Sequence, residues 1–431
     1  MDMIFLPNSV KERVFLRIAI YLFAFFSVVF FYRNVIGIVK YSTGYDFLSY
    51  YTAAQLIKNG YYGEIYTIDP QNANEVASPL CKEIARKAGI SNIPTPFIYP
   101  PIYVLPFLPL TVYSFQTARK IWIAVCAFFM LLSLPLLYPM VRFPEKPGLK
   151  LSIILSVTFF SYPLLYSFDL GQTTPVIFFF LCLIYYLSDH NYDKSAGIFL
   201  GLISLMKISP SLLILYFFLK KREKIVLTSL TTIFFLGLVS VLVFGVPVHL
   251  SYLSILRKLS GFDLVAWNNQ SISAFLLRMG THGDILKWQP IILKFPFNLF
   301  KLTILCGILG YSIKLWRNNS PSFPMEFSLI IFLILLLPPI SWDHYFCFLV
   351  IPFLIIVDHL LMTEAKGYIY IIGFACLAYL LTIMRIDAYV LFQQLSQDSW
   401  IGKCLVSRIF LGASLLCLIT LTLLRKQKYT K

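Results

Sequence analysis

Asp46 is the one acid in GYDFLSYYTAAQLIKNG (44–60), which follows the first long apolar run. Two chemistries suit it. At the head of a short amphipathic helix, with Gly60 as its stop, it suits an N-cap. Such a carboxylate accepts backbone N–H bonds worth about 0.5–2 kcal/mol, and spacing alone points first to this role. A carboxylate at a water–lipid boundary among aromatic residues also suits a general base, because partial desolvation raises its pKa. Two oxygens let the roles coexist in part.

Lys207, in LMKISPS, is the second candidate. A lysine deep in a bilayer costs at least ~2.5 kcal/mol unless it is paired or hydrated. Both ends of its apolar segment lie too far along the chain for the side chain to snorkel. At a bend facing a cavity, it would suit a lipid-borne phosphate. Arg278 is a second phosphate candidate, more weakly supported by its outer-loop position beside WNNQS (267–271). Amides such as Asn269 and Gln270 read sugar hydroxyls well, each offering a donor and an acceptor, yet Asn/Ser-rich text is common in loops. SWDHYF (341–346) reads either as an aromatic-belt turn with a capping acid or as a substrate-orienting group of Trp342, Asp343 and His344. Gln172 in DLGQTTP either caps a span or faces substrate. Tyr50 and Tyr99 are further substrate-contact candidates. Tyr99 opens IYPPIYVLPFLPL (98–110), whose four prolines preclude a regular spanning helix. That stretch is either an interfacial connector or the wall of a lipid-chain groove.

Several chemistries are missing from the sequence. There is no Walker A loop, no GxGxxG before a helix, no HExxH and no GxSxG. No second carboxylate stands beside Asp46 in a DxD-like pair, so neither a divalent metal nor another cofactor is indicated. The eight cysteines mostly sit in apolar runs without a CxxC, as small core residues do.

The elements that must position these residues are membrane helices. Hydrophobic residues make up 58% of the 431-residue chain and charged residues 13%, against about 25% charged in soluble domains. Solid apolar runs recur, such as IVLTSLTTIFFLGLVSVLVFGV. They predict an all-α polytopic membrane protein, one integral membrane domain over 1–431. The expected spans are 15–36, 119–141, 151–168, 174–188, 225–246, 291–316, 326–340, 345–361, 368–384 and 404–424. No A-x-A-like cleavage site follows the first, which reads as a retained helix. The net charge of +16 does not imply nucleic-acid binding, since the basic residues flank spans.

The segment 195–224 is either one span centred on Lys207 or two half-helices, 195–206 and 210–219, meeting at Pro210. Each half would be roughly 15–18 Å long, too short to cross ~30 Å of hydrocarbon. Charge favours the hairpin. With it, segments 1–17, 142–150, 189–194, 220–224, 314–320, 362–367 and 425–431 share one face. They hold 18 of the 36 Lys and Arg in 57 residues. The positive-inside rule then makes both termini cytoplasmic, so loops 37–118 and 247–290 are extracytoplasmic, in a plasma (inner) membrane.

DFLSYYTAAQLIKNGYYGEIY, FIYPPIYVLPFLPL, AGIFLGLISLMKISPSLLILYFFLKKREK, WNNQSISAFLLR and SWDHYF, in this order, resemble glycosyltransferase family 87. The resemblance covers about residues 40–355. In many relatives Pro directly follows the hairpin lysine, whereas Ile208 and Ser209 intervene here. It implies a C-type glycosyltransferase bundle of about 10–12 spans. It also implies transfer of a hexose, mannose first, from a polyprenyl-phosphate carrier to a glycolipid or glycan acceptor at the outer face of the lipid bilayer, with inversion. Asp46 matches the family's catalytic acid. The alternatives are a transporter or flippase for a lipid-linked glycan, which should show inverted repeats that we do not find, and an inactive assembly partner.

Overall fold

The computed structural model describes residues 10–66, 78–87, 89, 95–142, 147–260, 263–280, 285–286, 289–291, 295–317, 322–362 and 369–427. The remainder, including parts of the basic segments counted above, lies outside the described residues. The helices are α1 Val10–Tyr41, α2 Tyr45–Lys58, α3 Pro79–Lys87, α4 Phe115–Leu137, α5 Pro147–Phe159, α6 Tyr162–Leu170 and α7 Thr174–Asp189. They continue with α8 Asp193–Met206, α9 Leu212–Leu219, α10 Glu223–Phe244, α11 Val246–Ser260, α12 Ile272–Gly280, α13 Phe295–Arg317 and α14 Phe323–Leu336. The last are α15 Val350–Met362, α16 Ile369–Ile383, α17 Ala388–Gln394, α18 Trp400–Val406 and α19 Arg408–Gln427. One antiparallel ribbon, β1 Asp263–Val265 with β2 Gln289–Ile291, sits in the second long loop.

The chain is a multi-pass membrane protein. Among the described residues five helices are long and apolar enough to cross a bilayer, or seven if each bent pair counts as one span. That is fewer than the ten to twelve expected. Thr174–Asp189 and Phe323–Leu336 are apolar but short. The second is buried along nearly its whole length, so protein rather than lipid covers its ends. The segment expected as one span over 151–168 is two helices, bent by 52°. Ser161 caps the second, accepting from Leu164 N, and Pro163 follows in its first turn.

The hairpin is visible in its packing. A Cβ on Gly197 would meet Ile225 and Thr228, and one on Gly201 would meet Ser229 and Thr232. Contacts that advance by four residues on both helices mean that α8 and α10 run parallel at close approach, as small residues permit. The chain between them must therefore turn back, and α9 is that return. Arg222, just before α10, accordingly pairs with Asp193 at the head of α8. Lys220 pairs with Glu326 at 2.7 Å, and Arg142 with Asp189 at 2.7 Å, while the Arg142 N–H donates to Asp358 Oδ1 at 2.5 Å. These contacts gather 142, 189–193, 220–222, 326 and 358 at one end of the bundle. Lys207 follows the fourteen residues of α8, roughly 20 Å further along.

One expectation for the first loop changes. α2 is not half-exposed: Phe47–Ala54, Leu56 and Ile57 are all buried, against the proline-rich segment, α3 and α6. That segment is a 3-10 helix, Pro101–Val112, with Tyr103, Val104 and Phe107 buried. Repeated Pro rules out the α-helical hydrogen-bond ladder there, and Pro106, Pro109 and Val112 stay exposed.

Candidate active site

A cavity of about 550 Å³ lies between the first loop, the hairpin tip and the second loop. Asp46 and Tyr50 from α2 line it, with Tyr99, Gln172, Lys207, Trp342 and His344. Residues far apart in sequence thus share one chamber. Its remaining wall is largely apolar, including Leu205 and Ile208 at the hairpin tip, Leu256 and Leu259 from α11, and Ile334 and Ile340.

Asp46 is not the cap. Gly44 holds the N-cap position of α2 in the left-handed region, φ 59°, with no side-chain cap bond. A Cβ there would come 2.6 Å from Arg119 Cδ. Arg119 itself clasps the end of α1, donating to the carbonyls of Val39 at 3.0 Å and Ser42 at 2.5 Å. The turn out of α1 therefore needs glycine and leaves Asp46 in the first turn, half-buried at the cavity wall. Its Oδ2 accepts from Gln172 Nε2 at 2.7 Å. Burial raises the Asp46 carboxyl from its ordinary 3.8 to about 6, while the Gln172 hydrogen bond pulls it down.

Gln172 is held in turn. Tyr50 Oη donates to Gln172 Oε1 at 2.7 Å and lies 3.1 Å from Tyr99 Oη. Burial raises the Tyr50 phenol and takes Tyr99 to about 12, so both stay protonated. Tyr99 stacks on Tyr103, centroids 4.5 Å apart, and Tyr103 donates to Thr173 Oγ1. The turn that delivers Gln172 depends on Gly171, left-handed at φ 68°. A Cβ on it would come 2.6 Å from Phe47 Cβ on α2. Gly171 O also accepts from Trp122 Nε1 at 2.9 Å.

Lys207 sits in extended backbone, φ −154° and ψ 133°, just where α8 ends. Its ammonium lies over the Tyr345 ring. Among the described residues it has no acidic partner, and it lines the cavity with a ring beneath it. His344 lies on the same wall, buried. Neither of its ring nitrogens has a hydrogen-bond partner among the described residues.

Four expected contacts are not brought to the cavity: Arg278, Asn269, Gln270 and Asp343 are absent from its lining. Asn269 Nδ2 donates to Leu264 O and Pro339 O, and its Oδ1 accepts from Ser271 N and Ser341 N. Gln270 Nε2 donates to Trp267 O and Val406 O, and its Oε1 accepts from Phe410 N. These amides bind backbone and pin the second loop to the 341–345 turn and to α19. Arg278 is fully buried. It donates to Ala266 O at 2.8 Å, Asn269 O at 2.6 Å and Ser407 Oγ at 3.0 Å, and burial lowers its pKa to about 10. Asp343 is wholly buried behind the wall, in the field of Arg278 and Arg408.

Tyr345 and Tyr166 were missed. Both line the cavity, yet nothing in sequence separates them from the many other tyrosines in the chain. No group of three or more His, Cys, Asp or Glu able to hold a metal ion occurs among the described residues.

The fold and cavity define a class: a multi-pass membrane protein with a carboxylate and a lysine facing one partly apolar chamber. The profile of glycosyltransferase family 87 matches residues 97–339, more than half of the chain. The chain belongs to glycosyltransferase family 87, and it is a membrane glycosyltransferase, which implies a sugar donor and an acceptor. No curated protein matches it, and no solved structure does.

Proposed function

We propose that the protein transfers a hexose, mannose in the first instance, from a polyprenyl-phosphate carrier to a glycolipid or glycan acceptor, with inversion at the anomeric carbon. The supporting observation is that Asp46, raised toward neutrality, and Lys207, without an acid partner among the described residues, line one cavity. Apolar residues of that cavity suit a prenyl chain, and its hydroxyl- and amide-bearing wall suits a sugar.

In this reading the acceptor hydroxyl gives its proton to Asp46 as its oxygen attacks the anomeric carbon. The bond from that carbon to the carrier phosphate oxygen breaks, and the phosphate departs with the electron pair. Lys207 stabilises the departing charge, with Trp342 and His344 lining the same pocket. Arg278 drops out of the phosphate role and supports the second loop instead. The charged end with 142, 189–193 and 220–222 is cytoplasmic by the positive-inside rule. The cavity then opens toward the extracytoplasmic side of the plasma membrane. The donor arrives already activated, which fits the lack of a nucleotide-binding motif.

The test is transfer by the purified full-length protein from a short-chain polyprenyl-phosphate mannose to a lipid extract of the source cells. Loss of transfer in Asp46→Asn, with the protein still inserted and folded, is the expected result. Full activity in that variant would remove Asp46 from the mechanism.

A further inference from the structure

We propose that Gln172 is a positioning residue whose amide, fixed by Tyr50, holds Asp46 by one oxygen and turns the other toward the cavity. This deepens the reading of Asp46 as base and rests on it.

The geometry carries the proposal. A glutamine amide can be rotated end for end, and its partners decide which way it lies. Tyr50 Oη lies within bonding reach of both Gln172 Oε1, at 2.7 Å, and Tyr99 Oη, at 3.1 Å; it has one proton, which we assign to the shorter contact. The amide NH₂ must then face Asp46, and Nε2 reaches Oδ2 at 2.7 Å. Tyr50 can consequently only accept from Tyr99, whose hydroxyl lies 3.1 Å away, so the chain of donors runs one way. Asp46 Oδ1 takes no hydrogen bond among the described residues and is absent from the buried unpartnered atoms, while Asp46 lines the cavity. One oxygen is tethered and the other is open.

The surroundings leave the tether to Gln172. The groups facing Asp46 are phenols: Tyr45 and Tyr50 on α2, Tyr99 ahead of the 3-10 helix, Tyr166 on α6 and Tyr345. Arg119 on α4 is spent on the carbonyls of α1, and Lys207 and His344 line the same cavity without a bond to Asp46 among the described residues. The neutral amide therefore stabilises the ionised carboxylate without cancelling its charge, which keeps it ionised and able to take a proton. Gln172 moves no proton itself: the acceptor's proton goes to Oδ1.

The full-length protein in nanodiscs tests this directly. Infrared pH titration of the carboxylic C=O band, assigned by its loss in Asp46→Asn, reads the Asp46 midpoint without any need for turnover. In Gln172→Leu the midpoint should rise by about one pH unit, the worth of a charge-assisted hydrogen bond. Tyr50→Phe should raise it less, since the amide is then free to turn. With the polyprenyl-phosphate mannose donor, the acid limb of kcat/KM should move up by the same amounts. An unmoved midpoint in folded Gln172→Leu overturns the proposal. If that variant does not fold, an unmoved midpoint in Tyr50→Phe does so. Undiminished transfer by Asp46→Asn would instead sink the base reading, so the two failures are separable.

Discussion

Gln172 donates to Asp46 Oδ2 at 2.7 Å across 126 residues of chain. This bond joins the turn after α6 to the first turn of α2, and the chemistry proposed for the cavity starts from it.

If Asp46 takes the acceptor proton, Asp46→Asn removes a general base without changing its shape. Transfer should fall by about 10²–10⁴-fold with donor binding kept. Single-turnover rates and donor affinity on the same preparation check both halves.

The raised carboxyl sets the pH dependence. Asp46 is ionised only above about pH 6, so kcat/KM should climb through an acid limb near pH 6 to a plateau. The same shift affects stability with the opposite sense. A folded-state pKa above the ordinary 3.8 means that the folded protein prefers protonated Asp46. That contribution is present at acid pH and lost as pH rises through about 6. Asp46→Asn should therefore be more thermostable than the parent at pH 8, and the gap should shrink at pH 4. A gap that does not change with pH would contradict the burial of this group.

Lys207→Ala should weaken use of the donor, raising its KM by roughly 10–100-fold, the worth of a hydrogen bond to a charged group. KM should change more than the unfolding temperature, because the lysine has only a ring contact to lose. Steady-state kinetics against donor concentration, beside a melting curve, decide this.

Arg278→Met should behave in the opposite way. It leaves the Asn269 carbonyl without its Arg278 donor and Ala266 O with only the Asn269 N–H at 3.3 Å, and a buried group left unpaired costs about 1–3 kcal/mol. We expect a clear loss of thermal stability with donor KM little altered in the surviving protein. A selective rise in KM would return Arg278 to the phosphate.

Gly171→Ala tests the scaffold. Its left-handed φ costs a non-glycine residue about 1–2 kcal/mol, and the new Cβ would come 2.6 Å from Phe47 Cβ. The turn and α2 must part, so activity should drop even where the protein still inserts. The acid limb checks this: it should move as Gln172 leaves Asp46.

Local rules made much of this legible. Apolar runs too long for a core helix announced a membrane protein, and Pro210 with a lysine no span would carry announced the break at 207. Counting basic residues favoured the hairpin over a single span, and the parallel packing of α8 and α10 agrees with it. The order of five motifs pointed to the family.

Which polar groups face one another was not legible. Asp46 looked like a cap because capping is a local pattern. Gly44, pressed on Arg119, takes that place instead and frees the acid. Asn269 and Gln270 looked like sugar contacts because any amide can read a hydroxyl, yet nearby backbone claims them first. Sequence alone determined that the chain is a multi-pass membrane protein and that its helix breaks before Pro210, though not the bend between α5 and α6, since hydropathy, proline and charge act over a few neighbouring residues. Only the tertiary structure decided that Gln172 meets Asp46 and that Lys207 meets Tyr345. Such pairings depend on close approach between helices distant in sequence, where a single Cβ is enough to forbid contact.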